Sequence, residues 1–481
     1  MSLFNFFRIN ILLLAIISIT FVLPIGVAAC HQEFQVIPSF FIPGIVCIGG
    51  ALIFLLIGRR KKVSMTPRDA FIVVATAWIF ASLLGALPLY FSGWVPSFTD
   101  AFFESVSGFT TTGASNLPDV EILPTSLNLW RCQMHWLGGM GIVALTVALM
   151  PLLGVGGFQL LKAETTGVEK GKVTPKIATT AKLLWFIYLS FTVTQTILLK
   201  LAGMGWIDAL SHAFSTVGTG GFSSRNNSIA YYNSSAIEWI CIVFMILSGV
   251  NFSLYYYAAT RKFRDIIENS ELKAYLGIIL ATTFGIIIFI HQIYQSFGTS
   301  LREALFQTAS IISTTGFSSV DFNLWPAGAQ LFLLLLMLVG GCSGSTAGGF
   351  KVIRWVILAK QTTNEVRKML HPHGIFNVQL NGHIGRKDVV FSTAGFLFLY
   401  CFLIAMTAFV AAFNGIDIIS AITAAMALVG NVGPGLGAVG PVENFGFFAP
   451  AAKWWFSFVM IAGRLELYTM LIFFMPSFWK K

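Results

Sequence analysis

Charge is scarce in this chain. Asp, Glu, Lys and Arg make up 10% of its 481 residues, against about 25% in soluble domains, which excludes an ordinary solvated surface. Cysteine occurs six times (Cys30, Cys47, Cys132, Cys241, Cys342 and Cys401) and never in paired spacing. No disulfide framework or zinc site follows, and these thiols read as packing residues. The ATP-hydrolysing spacing G-x-x-x-x-G-K-[ST] is missing; GGCSGSTAGGFK at 340–351 comes nearest and lacks it. No nucleophile–base constellation or metal-ligand cluster marks an enzyme. HPHG at 371–374 has no cysteine or carboxylate beside it and reads as a solvated loop.

Apolar residues are abundant instead: 56% of the chain is hydrophobic and the mean hydropathy is +0.79. Crossing a bilayer takes about 20 mostly apolar residues. Such runs lie near 11–29, 39–57, 70–92, 133–153, 183–203, 236–259, 274–294, 328–360, 389–413 and 453–475. The expectation is an all-α polytopic membrane protein with about ten spans, the eighth and tenth interrupted by glycines or charge. The formal net charge of +10 does not point to nucleic acid, because the basic residues sort by side. With a cytoplasmic N-terminus, only Arg131, Lys200, Arg225, Arg302 and Lys453 of the 30 Lys and Arg fall outside, with Arg464 inside a span. The rest are cytoplasmic, densest in GRRKKVSMTPRD at 58–69, which is the positive-inside pattern and places both termini inside. The N-terminal run ending in VAAC at 27–30 resembles a lipoprotein signal. It is equally long enough to stay as a span, and its removal would spoil the charge pattern.

Four polar, glycine-bearing segments recur at intervals of about a hundred residues. DAFFESVSGFTTTGAS from Asp100, DALSHAFSTVGTGGFS from Asp208 and EALFQTASIISTTGFS from Glu303 align without a gap, bringing Gly113, Gly221 and Gly316 into register. The fourth, DIISAITAAMALVGNVGPGLG from Asp417, needs three extra residues if Gly433 is the match and none if Gly430 is. Each copy runs from a long span to an acidic residue opening a short helix of about ten residues, then a Gly/Thr/Ser stretch, a polar loop and a second span. The acid suits the unsatisfied N–H groups of a helix start. So short a helix cannot cross, and re-enters from the outer side.

Non-helical backbone at membrane depth is tolerated only where protein or a water-filled cavity surrounds it. Four such loops therefore require a common axis, around which their carbonyls can replace the water of a dehydrating cation. Glycine accepts positive φ at the bend, and threonine offers both a carbonyl and a hydroxyl. One TTTG alone would be an ordinary cap or turn; four at matching places are not explained that way. The expected organisation is a two-helix hairpin (1–58) followed by pore repeats at 59–165, 166–264, 265–370 and 371–481, four pseudo-fourfold helix–pore loop–helix units around one pore.

The ordered set TTTGA (110–114), TVGTGGFS (216–223), STTGFS (313–318), GGCSGSTAGGFKVIRW (340–355), GNVGPGLG (430–437) and AGRLELY (462–468) resembles the Trk/Ktr/HKT superfamily of potassium transporters. The likeness covers essentially the whole chain, and the extra spans at 11–57 are similar to the bacterial TrkH branch. What the resemblance implies is K⁺ as the transported ion, with no organic cofactor in this chain, in the bacterial inner membrane. It further implies a homodimer with one pore per subunit, gated by a cytosolic TrkA-like ring of nucleotide-binding subunits. Filter roles fall on Thr111, Thr112 and Gly113; Thr219, Gly220 and Gly221; Thr314, Thr315 and Gly316; and Asn431, Val432 and Gly433. The second and fourth loops depart from Thr-Thr-Gly, so backbone oxygens carry those corners. Relatives with serine for the first filter glycine admit Na⁺, so Gly113 implies K⁺ preference.

The stretch 340–349 contains five glycines, two serines and a threonine and cannot continue a helix. By the resemblance, Gly340, Gly341, Ser343, Gly344, Ser345, Thr346, Gly348 and Gly349 form an intramembrane gate, with Arg464 as a constriction. A charge buried in a span costs about 2.5–3.5 kcal/mol, so Arg464 must face a pore or a partner. Glu466, two positions on, points to another face. A potential of about 150 mV would sustain roughly 300-fold accumulation of a monovalent cation. K⁺/H⁺ or K⁺/Na⁺ symport stays open, although no carboxylate relay is evident in the spans. A broken-helix secondary transporter of another solute is the remaining alternative, but all four repeats run in one orientation, unlike inverted repeats. Loops 154–182 and 361–388, with Lys480 and Lys481, are expected contacts for the regulator or for anionic membrane lipids.

Overall fold

The structure, a computed structural model, describes residues 3–58, 66–141, 177–381, 383–384 and 387–479. In hydrocarbon a backbone must satisfy its own hydrogen bonds, so the apolar runs become helices. Helices α1 (Leu3–Ile19) and α2 (Val22–Cys30) form one broken span that pairs with α3 (Ile37–Gly58). Buried Arg8 donates to the Gly58 carbonyl (3.1 Å), closing this hairpin and satisfying an orphan carbonyl at the helix end. Glu33, just past α2, accepts from the backbone N–H groups of Thr125 (2.7 Å) and Ser126 (3.0 Å). It thereby caps the first span-like helix beyond the first short one and ties the hairpin to that repeat.

The first repeat comprises α4 (Pro67–Phe91), short α5 (Phe98–Phe109) and α6 (Thr125–Gly139). The second has α7 (Ile177–Leu201), short α8 (Trp206–Val217), α9 (Ser235–Ser248) and α10 (Phe252–Ala259), followed by α11 (Phe263–Ile267). The third has α12 (Ser270–Tyr294), short α13 (Phe297–Ile312), α14 (Ala327–Met337) and α15 (Val352–Leu370). A two-residue antiparallel pair, β1 (Gln379–Leu380) with β2 (His383–Ile384), precedes the fourth. That repeat has α16 (Lys387–Ala412), short α17 (Ile418–Val429), α18 (Pro450–Arg464), α19 (Leu467–Leu471) and α20 (Pro476–Trp479).

Among the described residues six helices are long and apolar enough to cross a membrane, and two bent pairs bring the number to eight. The remaining two expected spans are accounted for by chain position: the eighth is divided into α14 and α15, and the fourth leaves the described residues after 141. The bend of 118° between α18 and α19 falls at the anticipated interruption around Arg464. The bend of 92° between α9 and α10 was not expected, because only the short stretch Gly249–Val250–Asn251 signals it. Most of basic segments 58–69 and 154–182, with Lys480 and Lys481, lies outside the described residues.

The four short helices sit at the centre. In α5 every residue from Ala101 to Phe109 is buried, and in α17 every residue from Thr423 to Val429 is. The long spans instead show Leu, Ile and Phe on their outer flanks, where lipid replaces water as the favourable surround. The six free cysteines divide into four buried and two exposed, Cys30 and Cys401, with none paired.

Candidate functional site: a ring of four bent segments

Where each short helix ends, the chain follows one path: Thr110-Thr111-Thr112-Gly113, Gly218-Thr219-Gly220-Gly221, Ser313-Thr314-Thr315-Gly316 and Gly430-Asn431-Val432-Gly433. The second residue is left-handed in all four, with φ of 52°, 55°, 55° and 53°, and the fourth is a glycine with φ of 79°, 81°, 83° and 97°. Gly433, not Gly430, is thus the counterpart of Gly113. The three extra residues of the fourth copy are no insertion in the loop. α17 has 12 residues, as α5 and α8 do. The difference is where the acid sits: Asp417 is the N-cap, accepting from the Ser420 N–H (3.1 Å), whereas Asp100 and Asp208 lie in the first turn.

The expectation that an acid opens every short helix needs correcting for the third, where Glu303 lies well inside the 16-residue α13. Ser97 takes the cap of α5, leaving Asp100 free to pair with Lys453 (2.6 Å). Asp208 pairs with Arg225 (3.1 Å), and Glu303 with Arg302 (3.2 Å). These acids therefore serve chiefly as partners for the basic residues at the loop face of the molecule.

An ideal Cβ at Gly113 would lie 2.1 Å from the Gly220 carbonyl oxygen, one at Gly221 2.1 Å from that of Thr315, one at Gly316 2.2 Å from that of Val432, and one at Gly433 2.7 Å from that of Thr112. The contacts run from first loop to second, third, fourth and back to first. They close a ring. No side chain fits at those four positions without a shift of the backbone, and each of these oxygens belongs to the residue just before a ring glycine. Four helix C-termini converge on the same place, adding the negative end of each helix dipole. Such a cage of carbonyl oxygens suits a cation stripped of water.

A second ring of hydrogen bonds lies in the loops that follow. The Val120 N–H donates to Asn226 Oδ1 (2.9 Å), Ile229 N–H to the Ser318 carbonyl (3.2 Å), Gly437 N–H to Asn323 Oδ1 (3.0 Å) and Phe445 N–H to the Ser115 carbonyl (2.8 Å). Asp119 in the first loop accepts from Asn226 Nδ2 (2.8 Å) and from the Glu121 N–H (2.9 Å). These bonds, the Asn226 one foremost, hold its carboxyl below the ordinary carboxylate range.

The departures of two loops from Thr-Thr-Gly have a structural cause. In the first and third, the cap hydroxyl braces the third residue, Thr110 to Thr112 and Ser313 to Thr315, both at 2.7 Å. In the second, the His135 ring fills that space: a Cβ at Gly220 would lie 2.2 Å from it, and the ring stacks on Phe222 (4.2 Å). In the fourth, Asn431 Nδ2 reaches across to Thr112 Oγ1 (2.9 Å) and to the Met460 carbonyl (3.0 Å). Thr219 donates to the Gly218 carbonyl (2.7 Å), and the buried Thr111 hydroxyl has no partner among the described residues. Side chains differ from corner to corner; backbone oxygens repeat.

The glycine-rich segment starts past α14, roughly 16 Å along the helix axis from the loop face. It has no helix and packs against the ring: Gly348 N–H donates to Thr314 Oγ1 (2.7 Å), and a Cβ at Gly348 would lie 2.9 Å from the Gly430 carbonyl. Gly344 and Gly349 have φ of 72° and 69°. Gly340 N–H donates to the Phe350 carbonyl (2.9 Å) and Val352 N–H to that of Gly341 (3.2 Å), pinching the segment at its base. Ser343 and Thr346 are buried, and Ser345 donates to the Cys342 carbonyl (2.6 Å). Arg464 donates to the carbonyls of Thr346 (2.8 Å), Gly138 (2.8 Å) and Gly139 (3.0 Å), bridging this segment to the end of α6. Glu466 turns elsewhere and pairs with Arg354 (2.8 Å).

The profile of the family described as TrkH, cation transport protein, matches residues 37–290 and 280–481. The chain belongs to the TrkH family. It is 38% identical to the Trk system potassium uptake protein TrkH of Halomonas elongata over 489 residues, all of both chains. To the protein of that name from Salmonella typhimurium it is 37% identical, over 98% of this chain and 99% of the relative. The crystal structure of the potassium transporter TrkH from Vibrio parahaemolyticus superposes with a TM-score of 0.88 at 36% identity, covering 100% of both chains.

Several residues that hold the glycine-rich segment in this TrkH-family chain had no signal in the sequence patterns. The α9–α10 bend exists to receive the glycine-rich segment: the Gly249 carbonyl accepts from Cys342 N–H (2.8 Å), and Phe252 N–H donates to the Gly344 carbonyl (3.1 Å). Glu271, at the start of α12, is buried and accepts from the N–H groups of Ser343 (2.6 Å) and Ile353 (3.1 Å), one on each side of the segment. A lone acid near a span end looks like a helix-start residue, and only its distant partners reveal otherwise. Glu271→Ala leaves both N–H groups buried and unmet, so a loss of about 2–5 kcal/mol is expected. Thermal unfolding in detergent measures it; an unchanged midpoint would mean that water replaces the carboxylate.

Proposed function

We propose that this chain takes up K⁺ across a bacterial inner membrane through a channel-like pore driven by the membrane potential. The closed ring of four carbonyls, from Thr112, Gly220, Thr315 and Val432, carries this reading. Those oxygens form the filter together with the remaining residues of the four bent segments, and each of the repeats 59–165, 166–264, 265–370 and 371–481 supplies one corner. The loop face is extracellular and both termini are cytoplasmic, in line with the positive-inside charge pattern. The relatives' names as potassium uptake proteins support K⁺ as the ion. Assembly as a homodimer on a cytosolic TrkA-like ring is part of the same proposal. Purified protein in proteoliposomes should take up ⁸⁶Rb⁺ in response to an imposed potential, inhibited by K⁺ far more than by Na⁺. Uptake that needs a proton or Na⁺ gradient would replace conduction by symport, and turnover too slow for single-channel currents would favour alternating access.

The glycine-rich segment 340–349, with Arg464, is the gate in this proposal. Arg464 ties it to the end of α6, through one bond to the Thr346 carbonyl and two to those of Gly138 and Gly139, and places a positive charge beside the path. Loss of even one charge-assisted bond of about 1.5 kcal/mol shifts a closed–open balance roughly tenfold. Arg464→Ala is therefore expected to raise ⁸⁶Rb⁺ flux by about that factor at equal reconstituted protein. Reduced flux would make Arg464 a structural brace instead.

A further inference from the structure

Four of the five basic residues toward the loop face meet carboxylates: Arg131 with Glu104, Arg225 with Asp208, Arg302 with Glu238 and Lys453 with Asp100. Lys200 does not. Among the described residues its ammonium meets no carboxylate and lies 5.6 Å from the centroid of the Trp206 ring. Trp206 in turn walls an open groove of about 880 Å³ between α2, α6, α7 and α8, lined by Val27, Leu189, Val193, Ile197 and Leu210 among others. That volume is within the roughly 300–1,000 Å³ range of small-molecule sites. Its lining is almost wholly apolar, which leaves little to hold water.

The groove opens on the lipid-facing flank: Leu189, Val193, Ile197 and Trp206 are all exposed. Lys200 follows Ile197 and Thr196 by three and four positions, so it stands on the groove side of α7, one turn nearer the loop face. A cationic head over an aromatic ring at a helix end is the arrangement of a membrane interface, with apolar space directly beneath.

We propose that this groove binds one phospholipid with an anionic head from the leaflet on the loop face, its phosphodiester on Lys200 and one acyl chain lying along α7 between α2 and α8. The ammonium supplies the charge preference and the groove supplies chain-length-dependent burial. The site lies apart from the ring and does not depend on which ion passes it.

The test uses the full chain in bicelles of equal phosphatidylglycerol and phosphatidylcholine, with retained lipid counted by native mass spectrometry after transfer to detergent. Wild type should retain phosphatidylglycerol over phosphatidylcholine by about fivefold, the ratio expected of one lysine at a membrane surface. Lys200→Gln should bring the ratio near one. Gly26→Phe should strip most of both lipids, because Gly26 lines the groove and a Cβ there meets nothing within 4 Å. Equal retention of the two lipids by wild type, or an unchanged ratio in Lys200→Gln, overturns the head-group assignment. Undiminished lipid in Gly26→Phe overturns the groove, and if that variant also converts a dimer to a monomer by light scattering, a second copy of the chain covers it instead.

Discussion

Replacing Gly113 by serine is expected to cut the preference for K⁺ over Na⁺ by at least about tenfold while leaving a conducting protein. Any Cβ at Gly113 would sit 2.1 Å from the Gly220 carbonyl oxygen, and φ is +79°. The backbone must shift, and the oxygen it displaces is a member of the ring. A displacement that costs one ion about 1.4 kcal/mol relative to the other is tenfold in selectivity. Gly93 provides the matched control. It has the same φ of +79° but nothing within 4 Å of its Cβ, so Gly93→Ser carries the strain without the collision. ⁸⁶Rb⁺ uptake with Na⁺ competition should separate the two variants; equal selectivity would overturn the proposed filter role of Gly113.

The largest loss of stability is expected from breaking the ion pair behind the first segment. Arg131 Nη2 lies 2.6 Å from Glu104 Oε1, with the side chains 1% and 0% exposed. The carboxylate also accepts from Asn116 N–H (3.1 Å) and Ser115 Oγ (3.0 Å), and Arg131 Nη1 donates to the Ser223 carbonyl (3.3 Å) of the next loop. The guanidinium lies 4.4 Å from the Phe222 ring centroid as well. Arg131→Met or Glu104→Leu alone leaves a buried charge without its partner, at a cost of about 3–5 kcal/mol. Each single variant should unfold at markedly lower temperature in detergent, and the double variant should recover most of the loss. A double variant no better than the singles would show that the network's hydrogen bonds matter more than the paired charges.

How much was legible follows from which interactions are local. The grammar of a short helix, a polar bend and a glycine is written in consecutive residues, so four copies were visible, and Gly113, Gly221 and Gly316 align directly. The fourth copy was ambiguous because three residues are close to one helical turn, and moving Asp417 from first turn to cap preserves the helix face. Backbone φ at Asn431 and Gly433 resolved it. Arg464 stood out as a charge in a span, but its three carbonyl partners belong to residues more than a hundred positions away. The bend at Gly249 and the role of Glu271 were hidden for the same reason.

Neighbouring residues alone show that the chain lives in a membrane, that it carries four repeats, and where three of the four bend, since apolar runs and Gly/Thr turns are local patterns. Which four oxygens meet, that His135 fills the place a threonine would take in the second loop, and that Glu271 and the α9–α10 bend hold the glycine-rich segment became visible in the folded chain alone. The reason is physical: every residue carries the same carbonyl and nearly every one the same N–H, so residue type cannot say which distant backbone groups will face one another.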